Sequence, residues 1–299
     1  MKFSKMKLFM FPGCALKTTA KGFEVSALSS ASCLGIELIE LPNWNCCGTV
    51  HPLSTDDVMH HLAPIRNLLR AQEVDYDLFL ESEGKLVTFC SLCFNTLKRS
   101  GILIQQDTEK RTIITNFLEK KEKPQFEVIN FLEILRDIGY DTIKSAVKKP
   151  LKGFKILPYY GCMLLRPKEI GIDDPENPQV MENLLTALGA EIVDSPYKTK
   201  CCGSYHTVAN KKLAMKLSHK ILNDSEKNGA NALATSCPLC AYNLDNLQRE
   251  ITQAHPSFHE IPIFYYTQLM ALSFDLNDKS LGFDSNYADP KPLLKKLGL

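Results

Sequence analysis

The chain has 299 residues, 44% of them hydrophobic and 23% charged, with a formal net charge of +1. That is the composition of a globular protein with room for two ordinary domains, and it lacks the basic surplus of a nucleic-acid binder. Eleven cysteines without a recognisable export signal point to a reducing, cytoplasmic setting, where thiols serve metal or redox chemistry rather than disulfides.

The opening Lys7-Leu8-Phe9-Met10-Phe11 reads as a strand feeding Pro12-Gly13-Cys14; its apolar stretch of about five residues is too short for the core of a leader peptide. An apolar helical stretch follows and carries Cys33, expected to be a small buried hydrophobe. The chain then reaches Cys46-Cys47-Gly48 and, after another strand, Cys90-Ser91-Leu92-Cys93, which opens a helix. Residues 105–124 are polar and charged and read as a surface excursion closed by Lys123-Pro124. Residues 126–147 read as helix, with Phe131, Leu135 and Ile138 on one side. A boundary near Lys148-Lys149-Pro150 divides the chain into residues 1–150 and 151–299.

The second part opens on Lys155-Ile156-Leu157-Pro158-Tyr159-Tyr160-Gly161-Cys162. Residues 178–188 have helical spacing, with Val180, Leu184, Leu185 and Leu188 on one face, Pro178 in the first turn and Gly189 as a stop. A brief strand at 191–193 leads to Cys201-Cys202-Gly203. A longer helix over 207–228 aligns Leu213, Leu217, Ile221 and Leu222 before Gly229, and Cys237-Pro238-Leu239-Cys240 opens another. The apolar segment Ile261–Phe274 is too short to span a bilayer and contains Gln268. No uninterrupted apolar run approaches the roughly 20 residues such a span needs. Residues 275–299 read as a tail ordered by packing or by a partner.

Ten of the eleven cysteines therefore form one pattern written twice, with offsets of 148 (Cys14 to Cys162), 155 (Cys46 to Cys201) and 147 residues (Cys90 to Cys237). A near-constant offset of this kind marks a tandem duplication. Alternating strands and helices make each half a layered α/β unit. Thiols at strand ends and helix starts would converge on one edge of such a unit.

Five thiols per repeat are one more than a tetrahedral zinc or an ordinary cubane uses. A Cys₄ zinc site with one idle thiol, a cubane with one bystander, and a cluster using all five remain open, and the surplus favours the last. His51 and His206 each lie three residues beyond a Cys-Cys-Gly, candidates for proton donors beside a cluster. Arg166, Lys168, Lys198 and Lys200 could hold an anionic group or simply be solvated. No glycine-rich nucleotide loop or ferredoxin run is present, so electrons must come from another subunit.

The doubled pattern is similar to that of the CCG domain family, and the chain resembles the B subunit of heterodisulfide reductase. The likeness spans nearly the whole sequence and is strongest in YYGCMLLRP, DDPENP, CCGS, SCPLCAYNLD and FYYTQLMAL. The first repeat, with 42 residues between Cys47 and Cys90, exceeds the family spacing; the second, with 34 between Cys202 and Cys237, falls just short of it. The resemblance implies two pseudo-symmetric, Rossmann-like CCG domains, each holding a non-cubane 4Fe–4S cluster. The implied ligands are Cys14, Cys46, Cys47, Cys90 and Cys93 in one and Cys162, Cys201, Cys202, Cys237 and Cys240 in the other. It implies an oxidoreductase that reduces a small disulfide to two thiols between the clusters, the coenzyme M–coenzyme B heterodisulfide in methanogens. Its partners would be two further subunits, one ferredoxin-like and one flavin-containing. Relatives with the same cysteines include subunits of lactate or glycolate oxidase complexes and electron-relay subunits of archaeal succinate dehydrogenases.

Overall fold

Strands of a parallel sheet are covered by helices on both faces, so they read as short, continuous apolar runs. The computed structural model describes residues 6–49, 58–73, 76–120 and 125–299 and places such runs at the centre of each half. The first half runs β1 (Met6–Phe11), α1 (Gly13–Leu16), α2 (Lys21–Cys33), β2 (Ile36–Glu40), α3 (Leu62–Gln72), α4 (Tyr76–Glu81), β3 (Lys85–Thr88), α5 (Ser91–Gln106), α6 (Thr108–Phe117), β4 (Glu127–Asn130), α7 (Phe131–Asp137) and α8 (Tyr140–Ala146). The second runs β5 (Lys155–Tyr159), α9 (Val180–Ala187), β6 (Glu191–Ile192), α10 (His206–Ala209), α11 (Lys211–Lys227), β7 (Ala232–Thr235), α12 (Pro238–Ala241), α13 (Gln248–Ala254), β8 (Ile263–Tyr265), α14 (Tyr266–Ser273), α15 (Asp278–Leu281) and α16 (Lys291–Leu297).

Two sheets of four strands result, ordered β2-β1-β3-β4 and β6-β5-β7-β8. Every pairing is parallel, with Leu8 opposite Leu38, Phe9 opposite Leu86, Leu157 opposite Leu233 and Leu233 opposite Ile263. One strand order used twice is the structural form of the duplication. In each sheet the winding reverses between the two central strands, which opens a crevice at their carboxyl ends.

The fourth strand of each sheet departs from the sequence reading. Residues 127–130 were expected as helix but form β4, and Asn130 passes directly into α7 as its cap. Its side chain accepts from the Leu132 N–H at 3.1 Å while Glu133 accepts from its own N–H at 2.8 Å. With no turn between strand and helix, the apolar run has no punctuation to reveal the change. Gly139, at φ +87°, then separates α7 from α8. The excursion expected at 105–124 does lie mostly at the surface among the described residues, and much of it is helix α6. Asp107 caps that helix through the Lys110 N–H at 3.0 Å, and Ile114 packs with Ile65, Leu69 and Ile104 in a small second core. The helix expected over 207–228 is two, divided at Asn210, whose side chain accepts from the Leu213 N–H at 3.2 Å and caps α11.

The halves are built into each other. Helix α2 packs on α14, and α9 packs on α7 and α8, so each half lends the helix after its first strand to the helices behind the other's fourth strand. The ring of Phe23 lies parallel to that of Tyr265, with centroids 4.2 Å apart, and Ser26 Oγ meets Thr267 Oγ at 2.7 Å. Burying a ring such as Phe23 contributes roughly 1.5–3 kcal/mol, and the main core runs unbroken through both halves. The C-terminal residues are ordered by packing, as expected. Among the described residues no helix is long and apolar enough to cross a membrane.

Candidate metal centres

The strand ends set the thiols. Cys14 follows the last residue of β1 by three positions, as Cys162 follows β5; Cys90 and Cys237 follow β3 and β7 by two. Cys90 caps the start of α5 in an extended conformation, and Cys237 caps α12 with Pro238 in the first helical position. All four therefore stand at the crevice where each sheet reverses, beside helix N-termini that favour negative charge on sulfur. Cys46-Cys47 and Cys201-Cys202 reach the same edge from the loops after β2 and β6.

All eleven cysteines are free. In the first set Cys14 Sγ lies 3.7 Å from Cys46 Sγ and Cys47 Sγ lies 3.5 Å from Cys93 Sγ; in the second Cys202 Sγ lies 3.5 Å from Cys240 Sγ. Hydrogen bonds from the thiols of Cys14 and Cys47 pull Cys46 down to about 2. Those from Cys162 and Cys202 do the same to Cys201. The equivalent cysteine of each adjacent pair is thus the one held as thiolate. The two sets also touch. Cys90 is held low mainly by the Cys237 thiol. Beside it Ser91 Oγ meets Ser236 Oγ at 2.7 Å, and the Ser91 N–H donates to the Ser236 carbonyl at 3.3 Å.

Among the described residues no three or more His, Cys, Asp or Glu side chains are grouped to hold a metal ion. Five soft sulfur donors spread along one sheet edge, without carboxylate among them, suit a multi-iron cluster in which different irons take different cysteines.

Hydrogen-bond donors are aimed at the sulfurs, and sequence reasoning did not single them out. Thr49 Oγ lies 3.0 Å from Cys47 Sγ and 2.5 Å from Thr96 Oγ. In the second set Asn243 Nδ2 donates to Cys202 Sγ at 3.4 Å and to the Ser204 carbonyl at 3.0 Å, and the Gly203 N–H reaches Cys201 Sγ at 3.4 Å. Thr96 and Asn243 each stand three residues after the last cysteine of their repeat, a shared position that could have drawn notice.

The surroundings of the two sets differ. The first opens into a cavity of about 420 Å³ that touches all five of its cysteines. The far wall comes from the second half, through Tyr205, Val208, Leu239 and Tyr242, and no Lys, Arg, Asp, Glu or His lines it among the described residues. The second set borders only about 10 Å³, roughly the least space that holds one water. Leu92 and Leu239 line both spaces.

The remaining candidates fall outside these walls. His51 lies outside the described residues. His206 is exposed at the start of α10 and lines neither space. Arg166 is engaged by the carbonyls of Thr199 and Pro175 and by Glu176 at 2.7 Å. Lys198 is buried between Glu182 and Asp194, at 2.9 Å from each. Lys168 and Lys200 are exposed and line neither space. Cys33 is half-buried against the core, and burial raises its thiol.

The model of the CCG cysteine-rich domain matches residues 8–98 and 156–245. The 8-methylmenaquinol:fumarate reductase membrane anchor subunit of Wolinella succinogenes is 31% identical, over 95% of this chain and 97% of that protein. The B subunit of the ferredoxin/F(420)H(2)-dependent CoB-CoM heterodisulfide reductase of Methanosarcina acetivorans is 27% identical, over 97% of each. Among solved structures, a hypothetical protein from Helicobacter pylori shares the fold, with a TM-score of 0.71 at 13% identity; the match covers 95% of this chain and 53% of that one.

Proposed function

Because the chain belongs to the CCG cysteine-rich domain family and carries that domain twice, we propose that it is the iron–sulfur subunit of an oxidoreductase complex that reduces a small disulfide. The domains divide near residue 150. Cys14, Cys46, Cys47, Cys90 and Cys93 would hold one 4Fe–4S cluster and Cys162, Cys201, Cys202, Cys237 and Cys240 the other, both non-cubane. Bound there, the clusters would supply electrons one at a time. A disulfide takes two electrons and two protons to give two thiols, so a pair of one-electron centres matches the demand. The electrons would come from two partner subunits, one ferredoxin-like and one flavin-containing.

The observation that carries this reading is the cavity of about 420 Å³ against the first five thiols. Apart from its thiols, the described residues of its walls carry no charged side chain, which suits a disulfide that is uncharged around the S–S bond. The strongly anionic coenzyme M–coenzyme B heterodisulfide would have to keep its charges outside. His206 would donate protons from the solvent side, and His51 is proposed for the same role on the first repeat.

A second reading follows from the fumarate reductase relative. In it the chain would only pass electrons between a partner and a lipophilic carrier at the membrane. Anaerobic protein loaded with iron and sulfide, given a reduced viologen dye, separates the two. Oxidised 2-mercaptoethanol should re-oxidise the dye faster than the coenzyme M–coenzyme B heterodisulfide does. Turnover with a soluble quinone and with neither disulfide would replace the first reading by the second.

A further inference from the structure

The outer face of α11 carries charge that the fold leaves unanswered. Lys212, Lys216 and Lys220 are exposed along one side of the helix at a spacing of four residues, a row with about 6 Å between neighbours. The opposite side, through Ala214, Ser218, Ile221 and Leu222, is buried. The helix holds five lysines against Asp224 and Glu226, in a chain whose net charge is only +1. Both acids are engaged elsewhere, Asp224 by Ser195 and Asn228 and Glu226 by His259. Glu250 of the neighbouring helix α13 is taken by Lys211.

The row borders a groove of about 490 Å³ between α11 and α13. Met215 and Ile251 give it an apolar lining. Beside them His219 and His255 stack face to face, with ring centroids 3.8 Å apart, and Phe258 meets the His219 ring edge-on at 5.8 Å. Among the described residues no Asp or Glu lines the groove. A basic row beside a concave, partly apolar floor is complementary to a ridge with acidic side chains and an apolar residue among them. A flat anionic bilayer would meet the lysine tips and leave the floor empty.

We propose that this groove is a docking surface for an acidic helix of a partner protein. Carboxylates at positions i, i+4 and i+8 of that helix repeat at the spacing of Lys212, Lys216 and Lys220 and meet them in order. An apolar residue between them sits over Met215 and the His219–His255 stack. Exposed ion pairs each contribute little, so the lysine row sets register and rate of encounter while the floor supplies apolar contact. The surface is separate from the thiols. Helix α11 stands between, with Ser218 on its inner side bonded to the Cys202 carbonyl at 3.1 Å. Docking here is therefore independent of which reaction the thiol sites carry out.

The test uses the anaerobic, metal-loaded full chain at about 0.1 M salt, where charges more than about 10 Å apart are screened. The probe is an alanine-based helical peptide with Glu at i, i+4 and i+8 and one Leu on the same face; a scrambled peptide of equal composition is the control. A carbodiimide, which joins amines directly to carboxylates, should link the ordered peptide to Lys212, Lys216 and Lys220. Lys212→Gln, Lys216→Gln and Lys220→Gln together should weaken binding about tenfold by fluorescence anisotropy. The same charge change on exposed lysines of other helices, Lys144→Gln, Lys279→Gln and Lys295→Gln together, should weaken it less than about twofold. Equal binding of the scrambled peptide, equal loss in the two triple variants, cross-links confined to other lysines, or no binding of either peptide would overturn the proposal. Phosphatidylglycerol vesicles that bind through these three lysines when the peptide does not would also overturn it and make the face a membrane surface.

Discussion

The glycine that follows each cysteine pair should tolerate alanine very differently in the two repeats. Gly48 and Gly203 both adopt positive φ, +78° and +104°, a region that costs an L-residue about 1–2 kcal/mol. For Gly48 that is nearly the whole cost, since among the described residues an added Cβ would meet only the Ala63 methyl, at 3.2 Å. At Gly203 the Cβ would lie 2.7 Å from the Cα of Ala214 and 3.0 Å from its Cβ. That is the first turn of α11, where backbone cannot swing aside as a flexible side chain does. Overpacking of this kind adds about 1–3 kcal/mol, so Gly48→Ala should cost about 1–2 kcal/mol and Gly203→Ala about 3–4 kcal/mol. The helix is also tied to the site, because Ser218 Oγ donates to the Cys202 carbonyl at 3.1 Å. Moving α11 therefore moves Cys202. Urea unfolding of the reduced, metal-free chain should rank the variants in that order. Iron content after reconstitution should fall further in Gly203→Ala. Equal destabilisation by the two substitutions, within about 1 kcal/mol, would refute the packing argument.

Three further outcomes are expected. Cys33→Ala should leave iron and sulfide content unchanged, whereas Cys47→Ala or Cys202→Ala should reduce it; a loss on removing Cys33 would add an eleventh thiol to the sites. Ser91→Ala and Ser236→Ala each strand a buried hydroxyl, so each should cost about 1–3 kcal/mol. The double variant should cost less than the sum by about 1 kcal/mol in chemical denaturation, and simple additivity would mean that the pair does not clamp the two repeats. Asp245, whose carboxylate accepts the N–H groups of Tyr287 and Ala288 at 2.8 Å each, is pushed up to about 6 by burial from an ordinary 3.8. The folded chain then keeps a proton that the unfolded chain releases over that interval. Stability should fall by about 3 kcal/mol as pH rises from about 4 to about 6 and stay level above. Asp245→Asn should flatten that slope, and an unchanged slope would assign it to other groups.

The duplication and the ten matched cysteines were legible because cysteine spacing survives in one dimension: Gly13-Cys14 and Gly161-Cys162 close the first strand of each half, and each Cys-x-x-Cys opens a helix. The two edge strands were not legible. Glu127–Asn130 and Ile263–Tyr265 are three or four residues long and run straight into helices, so neither period nor punctuation marks them. Helix α6 was hidden because one buried face, chiefly Ile114, is set among Thr, Lys and Arg. The donors to sulfur were hidden for another reason. Thr49, Thr96 and Asn243 are ordinary polar residues, and only the fold brings them onto Cys47 and Cys202.

Duplication accounts for the matched thiols and leaves their surroundings free to differ. If the ten thiols hold clusters as proposed, losing one empties its site, which ties the five positions together in both halves. A hydroxyl or amide beside a sulfur changes the potential without emptying the site. Thr96 and Asn243, at one position of the repeat, are free to differ in a way that Cys93 and Cys240 are not. The interlocked helices impose the complementary constraint. Phe23 of the first half is buried on Tyr265 and Tyr266 of the second, and the open cavity beside Cys14 is walled by Tyr205, Val208 and Leu239. Neither half can shed the other without exposing core and dismantling the first site. Two repeats held together in that way can diverge in function only by changing what lies around their thiols.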